Sequence, residues 1–276
     1  MHNIYALRQI AHKFEGFVVD QWGVLHDGET VFPGAHDCLK RLKQMGKDVI
    51  LLSNSGKRVA TSYERFKELG ISSEAYRCVV TSGEHVYQSL KDRTDPFYSR
   101  LGHKFYIFAW DHDRQIISDL DYEEIDDIAK ADFVLCAGVD RGNVEAYMDD
   151  LKRAKSKHIP LIVVNPDLVS QTPDGSLKTC PGSIALAYQK MGGVVKWHGK
   201  PQRDIYKMCA FTHAPSAYLA IGDSLSHDIK GGLDYGLSTL LIGDGIHKNE
   251  ILNLGLKKLS DHYDVKSDYY MQALSW

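Results

Sequence analysis

The chain has 276 residues, 43% of them hydrophobic, enough to bury a sizeable core in one large domain or two moderate ones. Lys and Arg number 33 against 36 Asp and Glu, which excludes the basic footprint of a nucleic-acid binder. No apolar run approaches the ~18 residues of a membrane span, and the opening MHNIYALRQIAHKFEG mixes charge with helical spacing and lacks a signal-peptide core, so the expectation is a soluble cytoplasmic protein.

In chain order, the first predicted strand is FVVDQ (17–21), followed by a helical pattern in AHDCLKRLKQMG (35–46) and a second strand, DVILLSN (48–54). A helix over VATSYERFKELG (59–70) leads to the strand RCVVTS (77–82). The middle of the chain carries the strands KFYIFAW (104–110), DFVLCAG (132–138) and PLIVVN (160–165), with helices over 143–157 and 183–193. A helical segment at 203–213 and the strands YLAIGD (218–223) and STLLIGD (238–244) follow. Strands spaced by helices of about ten residues indicate βαβ units and a parallel sheet. Their nearly continuous apolar character fits strands covered on both faces. Residues 84–194 read as an inserted second domain, leaving 1–83 and 195–276 as the core. The five cysteines, Cys38, Cys78, Cys136, Cys180 and Cys209, are odd in number and widely spaced, with no C-x-x-C. That argues against a disulfide framework and a zinc ribbon and for small buried residues. His12, His36, His85, His103 and His158 lie apart and read as surface or packed residues.

Several strands end on polar or small residues: Asp20, Ser53-Asn54-Ser55 and Gly222-Asp223-Ser224. In open parallel sheets, ligands bind beyond the carboxyl ends of the strands, so clusters far apart in sequence would meet at one rim. Four pieces form the constellation: Asp20 in FVVDQWGVL, Ser53-Asn54 in VILLSNSGKR, Lys200 in WHGKPQRDIY, and Asp223 with Asp228 in AIGDSLSHDI. Each alone has a bland reading as a cap or turn; their order and placement make the set specific.

With these motifs the sequence resembles the haloacid dehalogenase-like (HAD) hydrolase superfamily. It resembles more narrowly subclass IIA, the NagD and p-nitrophenyl phosphatase-like branch, through FPGA (32–35), SNSGKR (53–58), NPD (165–167), PGSIALA (181–187) and GKP (199–201). The resemblance spans essentially the whole chain. It implies an α/β fold, a Rossmann-like core with a parallel sheet and helices on both faces, plus an inserted α/β cap of C2 type. It also implies a Mg²⁺-dependent phosphatase acting on a small phosphorylated metabolite.

The residue chemistry fits. A phosphomonoester dianion repels an anionic nucleophile, and a hard cation and an ammonium offset that repulsion. Asp20 would attack phosphorus and give an aspartyl-phosphate. Lys200 would neutralise the phosphate, Ser53 would donate a hydroxyl to it with Asn54 beside it, and Gly23 would let backbone N–H groups approach. Asp20, Asp223, the backbone carbonyl of Trp22 and Asp228 would hold the cation or its water.

One residue departs from the family pattern. The phosphatases of the superfamily usually carry Asp two places beyond the nucleophile, and here that place is Trp22. An indole N–H donates a hydrogen bond but cannot shuttle a proton at neutral pH. A replacement acid from His26, Asp27 or the cap is one reading. A weak or non-catalytic phosphometabolite binder is a second, and a dehalogenase-like hydrolase acting at carbon a third. In the cap, Arg141 reads either as a fork for a substrate anion or as a surface ion pair, and Trp110 and Trp197 as packing residues or cleft lining. A homo-oligomer is compatible with the sequence, which carries no signature of one.

Overall fold

The computed structural model describes residues 1–172 and 176–276. Its strands, in chain order, are β1 (His2–Asn3), β2 (Gly16–Val19), β3 (Asp48–Ser53), β4 (Cys78–Thr81), β5 (Lys104–Phe108), β6 (Glu123–Glu124), β7 (Phe133–Cys136), β8 (Leu161–Val163), β9 (Val169–Gln171), β10 (Leu177–Thr179), β11 (Val195–Trp197), β12 (Tyr218–Gly222), β13 (Ser238–Ile242) and β14 (Tyr269–Met271). Seven of them form a parallel sheet in the order β1-β14-β13-β12-β2-β3-β4. Five form a second parallel sheet, β11-β8-β7-β5-β6. A two-stranded antiparallel hairpin, β9-β10, stands apart from both.

Alternation along the strands explains their apolar runs. In β2, Phe17 and Val19 enter one core and Val18 the other; Val49 and Leu51 of β3 likewise oppose Ile50 and Leu52. In the second sheet, Phe133 and Leu135 face one cluster while Val134 and Cys136 face another. Successive side chains point to opposite faces of a strand, so a sheet covered by helices on both faces needs an apolar residue at every position. Each such fully buried side chain contributes about 1.5–3 kcal/mol. All five cysteines are free thiols, four of them buried.

Two elements differ from the sequence reading. The N-terminal segment is not one helix but two single 3₁₀ turns, Leu7–Gln9 and Ala11–Lys13. Its apolar spacing is used, since Leu7, Ile10, Ala11 and Phe14 are buried. The Gln9 side chain, however, takes the N–H groups of Tyr5 (2.7 Å) and Ala6 (3.0 Å), while the backbone before it pairs with β14. The helix expected over 203–213 stops at Lys207, three residues before Ala210 turns left-handed at φ +45°.

The strand order reverses around β2. Its neighbours are β3 on one side and β12 on the other, so Asp20 follows the central strand at the topological switch point, where open α/β sheets bind ligands.

Candidate active site

β2, β3 and β12 run side by side and deliver Asp20, Ser53-Asn54 and Asp223 to one rim, the floor of a cleft of about 980 Å³. The cleft's far wall comes from the second sheet and the β9-β10 hairpin, through residues such as Trp110, Asp167, Gln171 and Lys178. Asp228 arrives by a different device. After β12 the chain makes one π turn, Leu225–Ile229, in which Ile229 N–H and Asp228 N–H both reach the Ser224 carbonyl (3.1 and 3.0 Å). Single π turns of this kind recur at functional sites because they re-aim a side chain. Here the Asp228 carboxylate folds back to accept the Ser224 N–H at 3.1 Å and faces the strand end.

Lys200 occupies the centre. Its ammonium donates to Asp20 Oδ1 (2.6 Å), Asp228 Oδ1 (2.6 Å) and the Leu52 carbonyl (3.2 Å), which uses all three of its protons. Burial opposes the charge, but the two carboxylates outweigh it and push the lysine above its ordinary value. Asp20, Asp223 and Asp228 are buried and can each bring an oxygen within 4.8 Å of the others. Burial and repulsion from its neighbours raise Asp20 to about 7, and the same causes hold Asp223 well above the usual carboxylate range. Three carboxylates and one ammonium carry a formal −2, so the cluster is short of positive charge by one divalent ion. Converging hard oxygens with that deficit fit a cation such as Mg²⁺.

Two glycines make this approach possible. Gly23 sits at φ +84°, and a Cβ there would lie 2.1 Å from Asp223 Oδ2. A Cβ on Gly245 would meet the same oxygen at 2.1 Å. The Gly23 N–H is donated to the His26 carbonyl (2.9 Å), so the expectation that this turn offers it to a phosphate is corrected. The glycine supplies clearance for Asp223.

Asn54 is corrected in the same way. Its Oδ1 accepts the backbone N–H of Lys200 (2.7 Å), and its Nδ2 donates to Asp167 Oδ1 (2.8 Å) and, more weakly, to the Lys200 carbonyl (3.4 Å). The amide is fully engaged in holding the lysine loop, which makes Asn54 a positioning residue and leaves the phosphate to others. Ser53 is buried at the rim, and its Oγ accepts the Ser55 N–H at 3.1 Å, a bond that does not use its own proton. Arg141 lies outside the cleft. Its guanidinium pairs with Asp150 (2.7 Å), donates to the Tyr106 hydroxyl (3.2 Å) and stacks over Tyr147 at 4.9 Å, within the second domain. The surface ion pair is therefore its role, because carboxylate and rings already occupy both the edge and the face of the fork.

Trp22 lines the cleft with 42% of its surface exposed. Its Nε1–H is donated across the cleft to the Gln171 carbonyl at the end of β9 (3.1 Å), and its ring covers Gly28 so closely that a Cβ there would lie 2.4 Å away. Neither sequence candidate for a replacement acid suits that task. His26 is buried edge-on between Trp22 and Phe66, and its Nδ1 accepts the Gly28 N–H (3.1 Å). Burial, with Arg65 nearby, lowers it to about 4, so it is neutral at pH 7. Asp27 closes its own turn by accepting from Glu29 N–H, Thr30 N–H and the Thr30 hydroxyl, bonds that lower its carboxyl further into the ionised range.

Sequence reasoning passed over Asp167 and His227. Asp167 accepts from Asn54 and faces His227 Nδ1 at 3.1 Å. Burial opposes its charge, yet His227, Asn54 and Lys200 together hold it below its ordinary value. The signal was present in Asn165-Pro166-Asp167, which a local reading assigns to a turn. Its hydrogen bond to Asn54 lies 113 residues away in sequence, and no periodicity announces it.

Two family models match the chain, one described as haloacid dehalogenase-like hydrolase over residues 17–123 and one as HAD-hydrolase-like over 197–271. The chain is 25% identical to chronophin of Mus musculus, covering 95% of this chain and 93% of that protein. It is 25% identical to 4-nitrophenylphosphatase of Schizosaccharomyces pombe, covering 97% and 94%. A solved haloacid dehalogenase-like hydrolase from Brucella suis superposes with a TM-score of 0.84 at 28% identity, covering 98% and 99%.

Proposed function

The chain belongs to the haloacid dehalogenase-like hydrolases, in the branch of NagD and the p-nitrophenyl phosphatases, and from that premise we propose that it is a Mg²⁺-dependent phosphatase of small phosphomonoesters using Asp20 as nucleophile. The observation that carries the proposal is the convergence of Asp20, Asp223 and Asp228 on one rim with Lys200 bridging two of them at 2.6 Å. A carbon-attacking hydrolase has no use for a three-carboxylate pocket short of one divalent charge.

Asp20, Asp223 and the Trp22 carbonyl would hold the cation, with Asp228 oriented behind them. Bound there, Mg²⁺ supplies charge neutralisation for the incoming phosphate. The remaining work belongs to the chain itself. Lys200 fixes the Asp20 carboxylate and adds positive charge beside the phosphoryl oxygens. Ser53 donates its hydroxyl to one of those oxygens. Asp20 then displaces the ester oxygen, and water hydrolyses the aspartyl-phosphate that results. Asn54 and Asp167 keep the lysine loop in register while the cleft is occupied.

The test is phosphate release from 4-nitrophenyl phosphate with Mg²⁺ and with EDTA. Release is expected only with the cation and is expected to vanish in Asp20→Asn. Undiminished release from Asp20→Asn removes Asp20 as nucleophile. Saturable ester binding without turnover makes the protein a binder, and halide release from 2-haloacids in EDTA makes it a dehalogenase.

A further inference from the structure

We propose that this site hydrolyses phosphates whose leaving oxygen is stable as an anion, aryl phosphates foremost, and discriminates against alkyl phosphates because no proton donor faces the departing oxygen. The inference rests on the phosphatase reading above and deepens it.

In an in-line displacement the leaving oxygen lies on the far side of phosphorus from the nucleophile. Asp20 is on the floor of the cleft at the end of β2, so the leaving group points outward, toward the wall formed by Trp22 and the second domain. What that wall offers is aromatic. Trp22, Trp110 and Trp197 line the cleft, three of the four tryptophans in the chain. The single polar atom of Trp22 is committed to the Gln171 carbonyl at 3.1 Å and is not aimed at a ligand. His26 is sealed behind the indole, with its Nδ1 accepting from Gly28. Asp27 is folded onto Thr30 and Glu29. Asp20 and Asp228 hold Lys200, whose three protons are all placed.

The step then runs as follows. A carboxylate oxygen of Asp20 forms the bond to phosphorus while the phosphorus–oxygen ester bond breaks. Both electrons of that bond leave on the ester oxygen, which departs as an anion and takes its proton from bulk water. In the second half a water adds to phosphorus, the Asp20–phosphorus bond breaks, the carboxylate re-forms, and the water's proton passes to solvent. Leaving-group basicity enters only the first half. The second half is common to all substrates, and it too lacks a positioned base. A weakly basic leaving group therefore phosphorylates Asp20 quickly and waits on the same slow hydrolysis, whatever its identity. The indole-lined wall suits a planar leaving group, which offers it a face to stack on.

The experiment is a leaving-group series at fixed pH and saturating Mg²⁺: 2,4-dinitrophenyl, 4-nitrophenyl, phenyl and ethyl phosphate. The expected result is that kcat/KM falls steeply as the leaving group becomes more basic, while kcat levels off among the nitrophenyl esters with a burst of nitrophenolate. Trp22→Asp is expected to raise kcat/KM for ethyl phosphate by roughly 10²–10⁴-fold, the usual reach of a positioned general acid, and to flatten the series. Trp22→Phe removes the same hydrogen bond without adding an acid and is expected to keep the steep series. His227→Gln is likewise expected to keep it. A wild-type kcat/KM indifferent to leaving-group basicity overturns the inference and leaves the phosphatase reading intact, as does a series that steepens in His227→Gln. No cation-dependent release from any ester overturns both. Where Trp22→Asp fails to fold, the wild-type series decides alone.

Discussion

At the scale of single residues, the site is built from charges that oppose one another's ionisation. Asp223 is buried beside two other acids, and without a cation its charge is unfavourable, so it contributes nothing to the folded state at neutral pH and costs stability. The sign follows from linkage: a carboxyl raised in the fold releases its proton more readily when unfolded, so stability is lost as pH rises past about 4 toward the raised value. Asp223→Asn keeps an acceptor for the Ile246 N–H (2.8 Å) and removes the charge. The expected outcome is a higher Tm in EDTA at pH 7.5, by about 2–4 °C per kcal/mol recovered, together with loss of the Mg²⁺-induced rise in Tm seen in the wild type. Thermal melts with and without Mg²⁺ check both halves. Asn54→Ala strips the Lys200 N–H and Asp167 of their partner, and a buried group left unpaired costs about 1–3 kcal/mol. We expect kcat to fall by roughly 10²-fold from the displaced lysine, with KM changing less, in steady-state kinetics on 4-nitrophenyl phosphate. Asp20, Lys200, Asp223 and Asp228 were legible in the sequence because each stands alone after an apolar run or a Gly turn. The roles of Asn54 and Gly23 were not, because a serine-asparagine pair and a glycine look alike whether they bind a ligand or hold a neighbour.

At the scale of elements, the strands were readable wherever they are covered on both faces, since burial there imposes an unbroken run of Val, Ile and Leu. The β9-β10 hairpin was not. Val169 and Leu177 are exposed, the strands have three residues each, and their pairing is antiparallel, so neither alternation nor length marks them. The same holds for β11, whose three residues are all half-buried, and for β14 at the edge, recruited by pairing with β13 and β1. The hairpin is fastened to the core domain by the Trp22 indole at Gln171. Trp22→Phe is expected to speed hydrogen exchange in the hairpin, at the backbone amides of residues 169–172 and 176–179, leaving β2, β3 and β12 as protected as before. Mass-resolved exchange on the intact protein reads this directly, and unchanged hairpin exchange would show that the bond does not restrain it.

For the molecule as a whole, three buried histidines set its behaviour in acid. Burial lowers His26 and His85 to about 4, and His198, with His85 and Lys196 nearby, lies well below its ordinary value. His85 and His198 pack ring to ring at 4.4 Å between the helix after β4 and the chain returning from β11, where the two sheets join. A histidine lowered in the fold takes up its proton in the unfolded chain first, so stability is intact above about pH 6.5 and is lost as pH falls toward 4. A shift from 6.5 to about 4 corresponds to roughly 3 kcal/mol for each of His26 and His85. Urea unfolding between pH 7 and pH 4.5 should show the midpoint falling through this window, and a flat midpoint would mean that these rings are solvated. Fold class was open to inspection from the alternation of strands and helices, because a parallel sheet leaves no other economical connection.

The amide of Asn54 touches the lysine loop with one end and Asp167 of the opposite wall with the other. Swinging that wall away to admit or discharge a ligand therefore tugs on the ammonium that steadies the nucleophile. Gate and trigger share a side chain, so the open enzyme is disarmed by its own opening, and a reactive carboxylate meets bulk water only when its steadying partner has slackened.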